Sequence, residues 1–407
     1  MKIGIGSGNI TDARASGRMV AEGALNSGSI DRPDLVLAFC SSGLAHAEFF
    51  EGLQMVFGRR VPIIGGSAVG VITPDTLSYT GHPAGAVAIQ SDEIRCQIAA
   101  ADRLNEDEKD AGRRLAQQIE RSPEDRLLLF FYDSIKQPPT PRSAPVMNAS
   151  TLLIEGISEV LETGIPIFGA GLIGDYAMQS AAQFCGTSVA SEMVVGALLS
   201  GGFRVYHRIM HGCTPLDGTY HCVTKAAGAC IYELDGRPVV PMIDDLYGDR
   251  DWRRKTPVDL LTIGIYHGKK YTGFEEGRYV NRLILGALPK GEGICLFEPD
   301  IEEGTEIQFM LRDADKMISS ARRNANDLLE QIQADGHKTR FGFYIDCAGR
   351  TATYSNTLTE EAAEVQQVFN RYGCPLFGFY SGVEVAPFLN RSRGLDWTGV
   401  LIVLAEE

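Results

Sequence analysis

Unbroken apolar runs alternate with amphipathic stretches along this chain, and the alternation repeats. LVLAFC after Asp34, LLLFFY after Arg126 and FGFYID after Arg340 are rich in β-formers and end in small or polar residues. Such runs fit buried strands with a loop at the C-terminal end. Behind each comes an amphipathic helix. Phe49, Leu53, Val56 and Phe57 share a face closed by Gly58, and Leu153, Ile157, Val160 and Leu161 share one closed by Gly164. In the third, Val365, Val368, Phe369 and Tyr372 precede Gly373, and Thr357 with Glu360 forms a capping-box pattern. A short phrase follows each helix: VPIIGGSAVG from Val61, IPIFGAGLIG from Ile165 and CPLFGFYSGV from Cys374. Proline belongs at a strand start or edge, and the glycine after it permits a turn barred to other residues. The pattern predicts three strand–helix–strand units, each parallel and right-handed.

The flanking segments extend the repeat. Ala84–Gln90 with Arg95–Ala101, and Met193–Ser200 with Phe203–Met210, read as hairpins. GEGICLFEPDIEEGTEIQFML reads as another, Glu106–Glu120 and Asp315–Gln333 as helices, and Pro257–Tyr266 as a further buried strand. The expected fold is α/β, two related mixed-sheet halves built from repeated strand–helix–strand–hairpin units. The halves meet near Gly212–Gly218, giving domains 1–212 and 213–407.

Composition narrows the function. The 407 residues are 44% hydrophobic and 22% charged, a globular balance, with net charge −14. An acidic chain lacks the basic face that a nucleic acid or anionic membrane needs. No run approaches the roughly 20 apolar residues of a membrane helix, and the N-terminus does not read as a secretory signal. Nine cysteines without a C-x-x-C pair read as reduced thiols. The expectation is a cytoplasmic protein with nine free thiols.

The ordered series LVLAFCSSG, VPIIGGSAVGVI, VTKAAGACIYELDGRP, NRLILGALPKGEGICLFEPDIEEGTEIQFMLRD, FYIDCAGR and PLFGFYSGVEVAP resembles the FIST family, a sensory module with N-terminal and C-terminal domains. It departs from the family at one loop, where Val383 separates Gly382 from the carboxylate of Glu384. The resemblance implies a role in signal transduction and binding of a small ligand of the amino-acid class. No output segment is visible before the final strand at Val400–Ala405, so a separate signalling protein is the expected partner.

The residues offer candidates for that ligand. Glu384 sits in a glycine-rich loop after a buried strand, where ligand crevices of α/β sheets lie. It could meet a ligand ammonium or be a structural carboxylate. Arg350 closes the neighbouring strand end and could take a ligand carboxylate or simply pair with Glu384. Tyr380 lies in the same loop, Ser67 in the first copy of it, and Arg282 in YVNRLIL is a weaker third charge. Cys347 and Cys40 occupy similar strand ends. A cysteine enzyme is the competing reading, although no base adjoins Cys347 and only His46 is near Cys40 in sequence. An interaction scaffold is the third reading. His207, His211, Cys213, His221 and Cys222 have none of the standard zinc spacings. GIGSGNITDARASG lacks the lysine of a P-loop. Neither a metal nor another cofactor is expected.

Overall fold

The computed structural model describes residues 1–140, 145–161 and 164–406. The first unit runs β1 (Lys2–Asn9), α1 (Ala13–Gly28), β2 (Leu35–Cys40), α2 (His46–Phe57), β3 (Ile63–Ser67), β4 (Val71–Ile72), β5 (Leu77–Ser78) and β6 (Pro83–Gln90). The second runs β7 (Ile94–Ala101), α3 (Glu108–Ala116), β8 (Asp125–Asp133), β9 (Ile135–Gln137), β10 (Val146–Met147), α4 (Ser150–Leu161), β11 (Ile167–Leu172), β12 (Gln183–Cys185), β13 (Ser188–Ala190) and β14 (Val194–Gly201). The third opens with β15 (Arg204–Met210) and is interrupted by β16 (Cys213–Pro215), β17 (His221–Ala227), β18 (Cys230–Leu234), β19 (Arg237–Pro238), α5 (Val239–Tyr247), β20 (Leu261–Tyr266), β21 (Tyr279–Ala287), β22 (Ile294–Leu296) and β23 (Glu306–Arg312). It resumes with α6 (Ala314–Ala334), β24 (Lys338–Cys347), α7 (Ala352–Ser355), α8 (Glu361–Arg371), β25 (Leu376–Ser381), β26 (Val383–Phe388), β27 (Arg391–Leu395) and β28 (Gly399–Glu406).

The three expected parallel pairs are present: β2 with β3, β8 with β11 and β24 with β25. Each sits in the same four-strand order, β1-β6-β2-β3, β7-β14-β8-β11 and β15-β28-β24-β25. The fold is mixed α/β as expected, with two such units in the first half and one in the second. The helices follow the repeat too. In the first two units the helix pair crosses at glycines: a Cβ on Gly17 would stand 2.1 Å from Phe49 O, and one on Gly156 2.0 Å from Lys109 O.

The hairpin after each proline-opened strand leaves its own unit. β4–β5 extends the third sheet beyond β25, β12–β13 the first beyond β3, and β26–β27 the second beyond β11. The exchange closes a ring of three. Its centre is aromatic: Phe39 stacks on Phe379 with centroids 3.9 Å apart and meets Phe131 edge-on at 5.1 Å.

Three expected hairpins are corrected by this arrangement. β6 pairs with β1 and β2, whereas β7 pairs with β14 in the next sheet. β14 and β15 part in the same way, and β22 and β23 pair with other strands of their own sheet. Each short turn is a crossing between sheets or a step around a barrel. Local alternation marks the strands, but the partner is set by which apolar face the core accepts.

The interrupting segment closes on itself, because β23 pairs with both β17 and β20. Within this barrel β18 and β22 are joined by a Cys230–Cys295 disulfide. That bond corrects the expectation of nine free thiols. The Thr357–Glu360 capping box is also absent. Glu360 is itself the N-cap of α8, and its carboxylate accepts from Ala352 N instead.

Candidate functional site

The sheet edge where the parallel strands end holds most of the candidates. Val36, Leu128 and Gly342 donate to the carbonyls of Pro62, Pro166 and Pro375, which aligns the three units residue by residue. Cys40, Tyr132 and Asp346 therefore correspond, as do Ser41, Asp133 and Cys347. Cys347 matches Ser41, so its pairing with Cys40 is off by one position. On the partner strands Ser67, Gly171 and Tyr380 correspond.

At the third edge Arg350 is fully buried. Its Nε donates to Asp346 Oδ1 at 2.9 Å, and its Nη1 donates to the carbonyls of His211 and Trp397 at 3.2 Å each. Nη2 stands 2.9 Å from Glu361 Oε1, an ion pair whose angle is not that of a hydrogen bond. Tyr344 Oη donates to Glu361 at 2.9 Å. Burial, then the Glu361 charge, pushes the Asp346 carboxyl well up, and Arg350 offsets part of this. Arg350 is thus locked inside the protein, and by carboxylates other than Glu384.

Glu384 is also fully buried. Ser381 Oγ lies 2.8 Å from Oε1, and Thr398 N donates to Oε2 at 3.2 Å. Burial pushes its carboxyl well up, with hydrogen bonds and Arg350 countering only part. Ser381 Oγ also stands 3.0 Å from the Asp346 carbonyl, which can only accept. Ser381 has one proton for these two acceptors: given to Glu384 it leaves the carbonyl unserved, and given to the carbonyl it requires a neutral Glu384 carboxyl that donates to Ser381. Tyr380 is buried with its Oη unpartnered among the described residues.

Arg282 lies elsewhere, on β21. It is bidentate to Asp300 at 2.8 and 2.5 Å, and its Nη1 donates to the carbonyls of Asn281 and Gly394. Ser67 is at the first edge, 2.9 Å from His46 Nε2, and accepts from Ala182 N at 2.8 Å. Burial pushes the imidazole below its ordinary value, which favours the neutral ring, and the tautomer decides whether Nε2 or the Ser67 hydroxyl donates. Ser42 Oγ donates to Asp175 at 2.5 Å beside it. His46 therefore serves Ser67, whereas burial alone raises the Cys40 thiol above the physiological range.

A cavity of about 40 Å³ opens against the third edge. It is bounded by Cys347, Ser381 and Gly382 from the third unit, Met147 and Met178 from the second, and Phe297 from the barrel segment. Trp397 also lines it, with Nε1 unpartnered among the described residues. The Cys347 thiol is pushed well up, by burial first and Glu384 next, so it is a packing and contact group rather than a thiolate. The site thus brings Cys347, Tyr380, Glu384 and Arg350 to one edge and leaves Ser67 and Arg282 apart. Sequence reasoning missed Glu361, Asp346 and Trp397. An arginine four residues after the strand-end acid Asp346 was the available signal, since buried guanidinium needs paired charge. Among the described residues no group of three or more His, Cys, Asp or Glu is placed to hold a metal, and no helix is long and apolar enough to cross a membrane.

Comparison with known proteins gives a family. The chain matches the FIST N domain over residues 34–237 and the FIST C domain over residues 242–387. It is similar to an uncharacterized protein of Methanocaldococcus jannaschii, 22% identical over 247 residues. That match covers 58% of this chain and 44% of the relative, so the chain spans less than half of the relative's length. Among solved structures, PurLQS from Thermotoga maritima aligns at 11% identity and TM-score 0.22, over 100% of this chain and 72% of that one. Phosphoribosylformylglycinamidine synthase II from the same organism aligns at 10% identity and TM-score 0.23, over 99% and 71%.

Proposed function

The chain belongs to the FIST family, associated with signal transduction, and from that premise we propose that it is a cytoplasmic sensor of a small metabolite. The ligand enters the cavity at the third sheet edge, and the signal passes to a separate protein. The observation that carries this reading is the cavity's position, where second unit, third unit and barrel segment meet at strand C-termini. A ligand there touches three parts of the fold at once and can bias how they pack.

The ligand class is a small apolar amino acid. Cys347 and Ser381 offer a thiol and a hydroxyl, Trp397 Nε1 is an unpartnered donor buried behind the surface, and the methionines form an adaptable apolar wall. The volume holds only a few waters, so binding requires Met147 and Met178 to move aside. Arg350, Glu384 and Tyr380 act from behind the lining by fixing its shape. Arg282 and Ser67 hold their own parts of the frame.

Trp397 is one of two tryptophans. With Trp252→Phe, its emission alone reports on the cavity. Titration with the twenty amino acids is expected to shift that emission for one or a few apolar members. Silence across the set, with the protein folded, ends this reading.

A further inference from the structure

A second feature lies away from that edge, on β27, the edge strand of the second sheet. A groove of about 470 Å³ runs between this strand and α4. That volume is in the range of small-molecule sites, roughly 300–1,000 Å³. Its walls are mixed: Ile154, Ile165, Pro387 and Leu389 are apolar, and Arg391 and Arg393 carry charge.

The charges are unbalanced. Arg391 and Arg393 are two apart on one strand, so they share a face. Neither forms an ion pair among the described residues. Arg393 lies over the Phe388 ring at 5.6 Å, its Nε is buried without a partner, and its Nη1 is 3.4 Å from His267 Nε2. Desolvation, then Arg391, pulls the Arg393 guanidinium down to about 10. Desolvation, then these two arginines, also lowers His267, which stays neutral. The two acids of the groove are already engaged: Asp300 is bidentate to Arg282, and Glu155 stands 3.4 Å from Lys109 Nζ. In a chain of net charge −14, the two arginines share one nearby acid, Asp300, which attracts Arg393 but is already bidentate to Arg282, so their repulsion is only partly offset. An incoming anion removes it.

The turn at the groove's end points the same way. Leu389 sits at φ 56° with 52% of its surface exposed. A branched side chain in the left-handed region and in water is costly in backbone and solvation alike. Covering it with an apolar body offsets the second cost.

We propose that this groove is a second ligand site, taking a small organic oxyanion whose carboxylate or phosphate lies between Arg391 and Arg393 and whose apolar body covers Leu389 and Ile154. Arginine suits both headgroups because its planar fork donates to two oxygens at once.

The test is calorimetric titration of the full chain with phenyl phosphate, hexanoate and inorganic phosphate, at constant ionic strength set with potassium chloride. Saturable binding of phenyl phosphate, hexanoate or both is expected, with inorganic phosphate weaker because it lacks the apolar body. Binding of phenyl phosphate alone assigns a phosphate ligand, and of hexanoate alone a carboxylate. Arg393→Gln and Arg391→Gln should each weaken the bound probe at least tenfold. Arg391 is exposed, so its replacement reports even if the Arg393 variant fails to fold. No saturable binding by any organic probe, or affinities unchanged in Arg391→Gln, overturns the proposal. Trp397 emission should stay unmoved by these probes, which separates this site from the cavity at the third edge.

Discussion

The first and third sheet edges share a backbone and differ in nearly all their chemistry. Register places Ser67 where Tyr380 stands and Cys40 where Asp346 stands. At the first edge a serine and a neutral histidine share one hydrogen bond, and no buried charge is involved. At the third, one guanidinium, two carboxyls and a tyrosine are locked in full burial. Even the segments that follow the proline-opened strands keep the contrast. Asp175 and Glu384 each come nine residues after their unit's proline, yet Asp175 is half-exposed on Ser42 and Glu384 is sealed on Ser381. The repeated phrase encodes a strand, a turn and an exchanged hairpin. It leaves the polar contents free to diverge.

The sharpest way to break this comparison is to remove the charge at one edge and the hydroxyl at the other. Arg350→Met leaves Asp346 and Glu361 buried without their cation. Loss of about 3–5 kcal/mol in the denaturant midpoint is expected, since an uncompensated buried charge remains. A loss below about 1 kcal/mol would make the two edges energetically alike and remove the idea of a lock.

A difference in pH response comes next. Burial pushes Asp396, beside Trp397, up to about 7. Its folded value lies above the unfolded one, so its contribution to stability is full below about pH 4 and is lost as pH rises through about 7. Each pH unit in that window costs about 1.4 kcal/mol. Asp396→Asn should flatten the fall measured by urea titration between pH 4 and 7. Asp133 at the second edge, pushed up to about 6 by burial, adds a slope of the same sign over a narrower window, hence a smaller total. An unchanged slope in the Asn variant would place the titration elsewhere.

The parallel pairs were legible in the sequence because proline, glycine and the two periods are local signals. The pairing of β6 with β1 and β2 was not, since β7 carries a similar alternation and only the core decides between them. The same limit hid the site's wiring. Arg350 and Glu384 emerge on one edge as expected, but Glu361 opens α8 and reaches Arg350 first. Its place beside Glu360 reads as ordinary helix-start acidity. Arg282 looked like a surface charge or ligand anchor, and only the fold brings Asp300 to it.

At the first edge the expected effect is smaller. Ser67→Ala removes a neutral hydrogen bond to His46 and an acceptor for Ala182 N. About 1 kcal/mol should be lost, because the half-buried Ala182 N–H is left without its partner. The His46 titration followed by NMR should move back towards the ordinary imidazole value if water enters the gap. No movement, together with no stability loss, would reduce the pair to a coincidence of packing.

The smallest effect is expected at the residue with the most acidic-looking position. Glu384→Gln conserves volume. If the carboxyl is neutral, the amide reproduces it: Nε2 donates to Ser381, whose proton goes to the Asp346 carbonyl, and the oxygen accepts from Thr398 N. One amide hydrogen is left over, which limits the loss to about 1 kcal/mol. An ionised Glu384 held by the field of Arg350 would behave otherwise, and its neutralisation should then cost about 3–5 kcal/mol. Urea midpoints of the ligand-free variant at pH 7 and at pH 5 distinguish the two. A neutral carboxyl gives a small loss at both, whereas an ionised one gives a loss that shrinks on acidification. The first outcome keeps the third edge a lock with one charge pair, Arg350 with its carboxylates, and leaves Glu384 as a support behind the cavity's lining.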